Sequence, residues 1–201
     1  SKSASTAVPF WNHWSTSLYV QGIDTVARLG QFNLNAVSSE YFSTVGTRVL
    51  RGRGITDQDT PNSPRAMVVS EAMGKVLWPG RDPIGQCAKV NADTMPCTYV
   101  VGIAENIKDQ NIGADSIYYY YVAAMQFNPR NGGLFVRTRG DGNLFKEAVR
   151  KRLQREMPGA SYITITPFSE IVGSQKRSWH LGATMFVAFG GLALVLAAIG
   201  L

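Results

Sequence analysis

The feature that most constrains this chain is the apolar stretch at its carboxyl-terminal end. Residues 181–201 read LGATMFVAFGGLALVLAAIGL and contain no charged side chain. A helix rises 1.5 Å per residue, so this stretch covers roughly 30 Å, the thickness of the hydrocarbon core of a bilayer. The stretch therefore predicts a transmembrane helix. The alternative is a buried core helix, which is disfavoured because core helices are seldom this long without a polar face.

The composition predicts one sizeable folded domain before this stretch. The chain has 201 residues, of which 45% are hydrophobic, and a net charge of +6. Most of the basic residues are scattered, and the one dense run, residues 146–155, alternates with apolar positions at helical spacing. That run indicates the solvated face of an amphipathic helix. No recognition helix, RNP motif or zinc knuckle accompanies the positive charge, so we expect no nucleic-acid partner.

The two cysteines, Cys87 and Cys97, indicate the cellular compartment. They lie in PIGQCAKVNADTMPCTYVVGI, where two strand-like runs flank the polar turn NADT. In a hairpin that turns near Asn91, the two cysteines are nearly opposite each other and can form a disulfide. A disulfide implies an oxidising compartment, which fits a domain on the outer side of a membrane. The alternative is two free, buried cysteines in a cytosolic protein.

The hydrophobic pattern predicts a mixed α+β fold, with βα pieces at both ends and antiparallel strands in the middle. Helices are predicted over 40–45, closed by Gly46, from Ser70 to before Pro79, and over 144–156. A last helix starts at Pro167 and runs into the span. Besides the Cys87 hairpin, the predicted strands are two short runs within 15–37, and 66–69, 99–103, 117–122, 134–138 and 162–165.

Two aromatic segments allow more than one interpretation. Residues 118–121 are four consecutive tyrosines, and in a strand alternate side chains face opposite sides. We therefore expect two tyrosines to pack inward and two to face outward, rather than to form a stacking platform for a ligand. The segment FWNHW, residues 10–14, could be a buried cluster, a partner-binding patch or a contact with the membrane interface.

Catalytic motifs are absent from the sequence. The two histidines, His13 and His180, have no nucleophile motif such as GxSxG around them, and neither GxxxxGK[ST] nor GxGxxG occurs. Asp57 and Asp59 resemble the start of a calcium loop, but Pro61 occupies the next ligand position and the turn glycine and closing glutamate are missing. The sequence therefore predicts a protein that is not an enzyme and has no cofactor or metal site.

Several phrases, taken in order, resemble one family. SSEYFSTVGTRVLRGRGITDQDT, AMVVSEAMGKVLWPGRDPIGQCAKV, CTYVVGIAENIKD and SIYYYYV are similar to the MacB-like periplasmic core domain. Residues 178–201 resemble the first span of the FtsX-like permease domain that follows that core domain. Within the family, the chain is most similar to duplicated permeases that carry no ATPase domain of their own.

The resemblance implies a two-lobed extracytoplasmic domain over 1–176. A discontinuous βα lobe comprises about 15–53 and 123–176, a strand-rich lobe over about 54–122 is inserted in it, and the permease helix occupies 177–201. Six residues match the family's motifs, and we interpret them as turn and packing determinants without catalytic roles. They are Gly52, Arg53, Asp82, Pro83, Gly85 and Gly102.

The resemblance also implies the function and partners. The domain would belong to a permease of the inner (plasma) membrane, with residues before about 178 on the periplasmic side. Such permeases couple ATP hydrolysis by a cytoplasmic ABC ATPase subunit to mechanical work or export. They act with a second permease copy, or as homodimers, on periplasmic partners or export substrates. This orientation would place Lys176 and Arg177 on the periplasmic side of the span, whereas positively charged residues tend to lie on the cytoplasmic side. The alternative function is a membrane-anchored extracytoplasmic binding or sensing module.

Overall fold

The computed structural model describes residues 2–5, 14–107, 117–127, 132–157 and 163–200, with the backbone only for 172–181, 192 and 196. The chain divides into two compact units, Ser1–Thr138 and Arg139–Leu201. The aromatic residues 10–13, with His13, lie outside the described residues.

The first unit is built on one ten-stranded sheet. Its main path runs β10-β1-β4-β9-β6-β8-β7-β3, with β2 paired to β4 and β5 paired to β8. The pairs β4·β9 and β6·β8 are parallel and the other pairs are antiparallel. The strands are β1 Lys2–Ser5, β2 Trp14–Ser15, β3 Leu18–Val20, β4 Gln31–Val37, β5 Val49–Gly52, β6 Arg65–Ser70, β7 Cys87–Val90, β8 Thr98–Ala104, β9 Ile117–Ala123 and β10 Gly133–Val136.

Short helices cover the sheet, and their ends follow the sequence signals. They are α1 Tyr41–Val45, α2 Glu71–Leu77 and α3 Ala124–Phe127, with a 3₁₀ turn at Val26–Leu29. Gly46 ends α1 in the left-handed conformation, with its N–H bonded to the Phe42 carbonyl at 2.9 Å. The Ser70 hydroxyl accepts the Met73 N–H at 3.4 Å and caps α2, which ends before Pro79. The predicted caps of both helices are thus confirmed.

The central strands are buried on both faces, which corrects the prediction for the tyrosines of β9. Tyr119, Tyr120 and Tyr121 are 5%, 0% and 0% exposed, and only Tyr118 is partly accessible. Tyr120 packs into one cluster with Phe32, and Tyr121 packs into the cluster on the opposite face with Tyr41. No tyrosine of the tract faces open solvent because the elements packed on the sheet cover both of its faces at β9.

The sheet contains strands from both predicted lobes. β4 and β5 come from the βα lobe, β6, β7 and β8 come from the inserted lobe, and β5 pairs directly with β8. The predicted boundary at 53/54 follows the end of β5, and the one at 122/123 falls inside β9, so both lie within one continuous sheet. The division into two lobes stays a prediction. The structure gives the fold class as α+β with one large sheet.

The second unit consists of helices. A 3₁₀ turn at Gly142–Phe145 leads into α4, Lys146–Glu156, so the helix predicted over 144–156 is confirmed. The strand predicted over 162–165 is wrong for residues 163–165, which belong to no strand and no helix. Helix α5, Phe168–Ile199, is 32 residues long and includes the predicted span.

Candidate functional site

The predicted site residues lie around strand β8, where β7 and β5 share its outer edge. β7 pairs with the start of β8, with Cys87 opposite Tyr99, and β5 pairs with its end, with Gly52 opposite Gly102. The turn of the β7–β8 hairpin begins at Asn91, which has a positive φ of 85°. The sequence placed the turn at this residue.

A disulfide joins Cys87 to Cys97 and closes the hairpin. The two Cα atoms are 5.3 Å apart, and both residues are partly exposed. Cys97 immediately precedes β8 and is two positions from Tyr99, the residue directly paired with Cys87. The structure thus contains the disulfide that the spacing predicted, and the hairpin turn is tied at its base.

Gly52 and Gly102 allow two backbone segments to cross at close range. A Cβ atom at Gly52, whose φ is +72°, would lie 2.3 Å from the Val101 carbonyl oxygen. A Cβ atom at Gly102 would lie 2.1 Å from the Arg53 carbonyl oxygen. The same crossing is closed by a hydrogen bond from the Arg53 N–H to the Val101 carbonyl at 3.0 Å. No side chain of any size fits at either position without a shift of the backbone.

The side chain of Arg53, which follows this crossing, forms hydrogen bonds with the loop after β5. Its two terminal nitrogens each donate to the carboxylate of Asp59 at 2.8 Å, and Asp59 also accepts the Thr56 N–H at 2.8 Å. The Asp59 side chain is 4% exposed and that of Arg53 is 47% exposed. Burial alone would raise the pKa of Asp59, but the hydrogen bonds from Arg53 and Thr56 outweigh burial and lower it. Asp59 therefore stays ionised and anchors the loop.

Gln126 in α3 fixes the far end of the same loop. Its side-chain nitrogen lies 3.0 Å from the Thr60 carbonyl oxygen and 3.1 Å from that of Pro64. Its side-chain oxygen accepts the Ala66 N–H at 3.0 Å, at the point where β6 starts. The loop between β5 and β6 is thus bonded at both ends.

The second matched motif, Asp82-Pro83 with Gly85, forms the connection from α2 to β7. Asp82 accepts the Ile84 N–H at 3.1 Å and the Arg51 guanidinium at 2.6 Å, and these bonds lower the pKa of Asp82. Gly85 has a φ of +83° and donates its N–H to the Val100 carbonyl at 2.8 Å. A Cβ atom at Gly74 of α2 would lie 2.9 Å from the Pro83 ring, so the turn packs tightly on the helix.

In this arrangement the side chains of Arg53, Asp59 and Asp82 form hydrogen bonds within the loops beside β8. The carboxylates of Asp59 and Asp82 are neutralised by arginines, and no cluster of three metal-ligating residues occurs within the described residues. Burial raises the pKa of the Tyr120 hydroxyl to about 12. This hydroxyl is 3.1 Å from that of Thr16, so it is a neutral, hydrogen-bonded core group.

The sequence named six of the residues around β8 and missed others that complete the arrangement. The structure brings all six together along β8 and the two loops beside it. The sequence predicted no calcium loop but a turn at Asp59, and the structure has that turn, since the Asp59 N–H donates to the Thr56 carbonyl at 3.1 Å. What the sequence missed is that Asp59 is the buried partner of Arg53. The signal that could have found it is an aspartate six residues after an arginine in a turn-rich loop. Arg51 and Gln126 carried no recognisable signal. That this set stabilises the domain stays a prediction.

The aromatic residue Trp14 is visible at the start of β2 and is 51% exposed. It pairs with Leu34 of β4. The interpretation of residues 10–14 as a buried cluster therefore does not hold for Trp14. The other two interpretations, a partner-binding patch and a contact with the membrane interface, concern residues that are mostly outside the described part of the chain.

The family profile of the MacB-like periplasmic core domain matches residues 3–156. This match covers more than half of the chain, and the chain therefore belongs to the family of MacB-like periplasmic core domains. No curated protein matches the sequence. The FtsX-like part of the resemblance, residues 178–201, lies outside the matched range.

Three solved structures have a similar fold. The periplasmic region of MacB from Actinobacillus actinomycetemcomitans has 16% identity and a TM-score of 0.56, over 78% of this chain and 66% of that structure, just under two thirds. The extracellular domain of the noncanonic ABC-type transporter YknZ from Gram-positive bacteria has 19% identity and a TM-score of 0.54, over 77% and 74%. A domain of a putative permease protein from Porphyromonas gingivalis has 11% identity and a TM-score of 0.55, over 83% and 78%. At these identities the likeness concerns the fold.

Proposed function

We propose that this chain is the extracytoplasmic domain, with the first permease helix, of an ABC transporter permease. In this proposal a cytoplasmic ATPase subunit hydrolyses ATP, and the domain transmits the resulting motion to a periplasmic partner or export substrate. Family membership supports the class of protein, and one solved structure of similar fold is the extracellular domain of an ABC-type transporter, YknZ. The domain itself acts mechanically and catalyses no reaction.

Helix α5 is the observation that carries the proposal. It is continuous from Phe168 to Ile199, and the part long and apolar enough to cross a membrane is Gly182–Ile199. The described side chains of that part are exposed, which a buried core helix would not be. Residues 168–181 precede it, about 21 Å of helix at 1.5 Å per residue.

A continuous helix couples the membrane to the domain because it resists bending. A tilt of the span, imposed by a partner ATPase on the inner side, would be carried along residues 168–181 to the periplasmic side. No proline interrupts residues 168–201, and Gly173 and Gly182 are the weakest positions before the membrane. A flexible connection in this region would absorb the tilt instead.

The experiment is an insertion after Gly173 in the full-length permease, assayed together with its ATPase. A seven-residue Gly-Ser insert should abolish the ATP-dependent function, because the helix no longer transmits tilt. The matched control is an insert of the same length made of alanine-rich helical sequence, which adds about two turns and keeps the helix rigid. We expect the control to retain more function than the Gly-Ser variant.

Two results would contradict the proposal. Full function with the Gly-Ser insert would show that rigid coupling is not needed. A full-length sequence with a single span followed by a signalling domain would instead favour a membrane-anchored sensing module.

We also expect the purified chain to bind no ATP at micromolar concentration, since its sequence has no phosphate-binding loop.

A further inference from the structure

Helix α1 contacts the segment through which the chain leaves the first unit. Strand β10 ends just before the second unit, which starts at Arg139 and contains α5. Phe135 of β10 packs edge-on against Tyr41 of α1, with 6.2 Å between the ring centroids. Arg137, two positions after Phe135, donates to the Ser43 carbonyl of α1 at 3.2 Å. Two side chains next to the boundary between the units therefore contact α1.

The guanidinium group of Arg137 lies at the carboxyl-terminal end of α1. Gly46 ends that helix, and a Cβ atom at Gly46 would lie 3.7 Å from Nη1 of Arg137. The last carbonyl groups of a helix have no partner within the helix and carry partial negative charge, so a cation is stabilised beside them. The contact thus combines a hydrogen bond with the favourable charge at a helix end.

Helix α1 also contacts the loop between β5 and β6, residues 53–64. A Cβ atom at Gly54 would lie 3.3 Å from the Phe42 ring, so this ring packs directly on the loop backbone. Just before α1, the Ser39 hydroxyl donates to the Asp57 carboxylate at 2.6 Å. The same loop is the one that the buried carboxylate of Asp59 anchors. One short helix therefore joins the end of β10 to this loop.

Between these two sets of contacts, α1 is packed on the central sheet. Tyr41 and Phe42 are 1% and 7% exposed, and their ring centroids lie 5.7 and 5.0 Å from that of Tyr121 in β9. The helix has five residues, little more than one turn, so its two ends move together. In a close-packed interior a displaced side chain moves its neighbours, so a shift at one end of α1 reaches the other.

We propose that α1 couples the second unit to the β5–β6 loop, so that a movement of α5 changes the conformation of residues 53–64. The inference rests on the proposed function only in that α5 moves during the transport cycle. A displacement of the second unit reaches β10 through the chain itself and shifts α1 through Phe135 and Arg137. The shift then reaches the loop through Phe42 and Ser39. The loop is thus the part of the first unit that differs between the states of the transporter.

The test is hydrogen–deuterium exchange of the full chain in phosphatidylcholine nanodiscs, measured by mass spectrometry. The peptides compared cover α1, the β5–β6 loop and β8. Arg137→Gln weakens the contact with the helix end, and Phe135→Leu removes the ring while keeping an apolar residue that lets the unit fold. The matched controls are Leu134→Ala and Val136→Ala, which alternate with these residues along the same strand and face the other side of it.

We expect Arg137→Gln to raise the opening equilibrium constant of the loop by up to about fivefold, the effect of one lost hydrogen bond. Phe135→Leu should raise it by a smaller factor. Exchange in β8 should stay unchanged, and both controls should leave the loop unchanged. Ser39→Ala, at the other end of the link, should raise exchange in the loop by itself. Adding Arg137→Gln to Ser39→Ala should then have little further effect, because the link is already broken.

Three results would overturn the inference. Faster exchange in α1 and β10 without a change in the loop would show that Arg137 has only a local structural role. An equal rise in β8 would reflect unfolding of the whole unit. Effects of Arg137→Gln and Ser39→Ala that simply multiply would show two independent contacts.

These measurements need no ATPase, so they are separate from the insertion after Gly173. Full function of the Gly-Ser variant together with an intact response of the loop would contradict the proposed function and leave the link through α1 standing. An inactive Gly-Ser variant together with an unresponsive loop would contradict the link and leave the proposed function standing.

Discussion

The two compact units of the chain place similar side chains in opposite surroundings. In the first unit, Leu34, Val68 and Val100 on the central strands are 1%, 0% and 1% exposed. In the second unit, Leu144 and Leu194 are 79% and 73% exposed. The first unit buries its apolar surface in its own interior on both faces of a sheet. The second unit presents its apolar surface outward, and this is the arrangement that a bilayer can complete.

The difference shows where each unit obtains its stability. Interior packing stabilises the first unit, at about 25 cal/mol for each Å² of apolar surface removed from water. The same surface in the second unit gains this free energy only in lipid, because nothing in the described unit covers it. Substitutions in the first unit should therefore change its free energy of unfolding in detergent solution, whereas exposed positions in the second unit should be insensitive.

We expect the largest loss of folding stability at the crossing of the two backbone segments around Gly52 and Gly102. Gly52→Ala should lower the free energy of unfolding by about 4 kcal/mol, because the added Cβ atom would overlap the Val101 carbonyl. The control is Gly80→Ala, which has the same φ of +72° but no atom within 4 Å of the added Cβ. It should cost about 1 kcal/mol, from the backbone conformation alone. Urea unfolding followed by circular dichroism measures both, and equal losses would show that the close approach does not matter.

A truncation in each unit tests the comparison directly. Leu34→Ala should cost about 3 kcal/mol, since it leaves a cavity in a close-packed cluster. Leu144→Ala, at a position 79% exposed, should change the free energy of unfolding by less than about 0.5 kcal/mol. Both are measured by urea unfolding in the same detergent. A large loss from Leu144→Ala would reveal packing around α4 and break the contrast between the units.

The disulfide should contribute about 2.5 kcal/mol through the short loop that it closes. The double variant Cys87→Ser with Cys97→Ser should show this loss, and reduction of the parent protein should show a similar one. Mass spectrometry of non-reduced peptides from exported protein checks that the bond forms. Two free thiols there would remove the main compositional argument for an extracytoplasmic location.

The smallest effect concerns the ion pair of Arg53 with Asp59. Asp59→Asn should cost about 1.5 kcal/mol at neutral pH, a moderate value because the Arg53 side chain is half exposed. The pKa of Asp59 is lowered in the folded state, so the pair stabilises the fold above the ordinary aspartate pKa of about 3.9. This stabilisation disappears as the pH falls through the folded-state value.

Unfolding measured from neutral pH into that acid range separates the contribution of Asp59 from that of other carboxylates. The difference in stability between the parent protein and Asp59→Asn should shrink as the pH falls. The matched control is Asp82→Asn, which removes an exposed ion pair with Arg51 and should have a weaker effect. A difference that stays constant with pH would mean that the charge of Asp59 is not what holds the loop.

Local signals in the sequence were sufficient wherever one residue decides a conformation. Gly46 and Ser70 mark the ends of helices through their own backbone and hydroxyl groups, and both were predicted correctly. The disulfide could be predicted because Cys87 and Cys97 are close in sequence on either side of a turn. The tyrosines of β9 could not, because alternation distinguishes the two faces of a strand but not whether both are covered.

The sequence by itself determined the apolar helix at the end of the chain, the α+β class and the hairpin closed by the disulfide. Each of these depends on neighbours within a few residues. Only the tertiary structure decided that β5 and β7 share one edge of β8, and that Asp59 is the buried partner of Arg53. It also decided that residues 163–165 form no strand and that both faces at β9 are covered. The physical reason is that burial and strand pairing depend on segments far apart in the chain. A side chain's own identity does not specify which distant segment will pack against it.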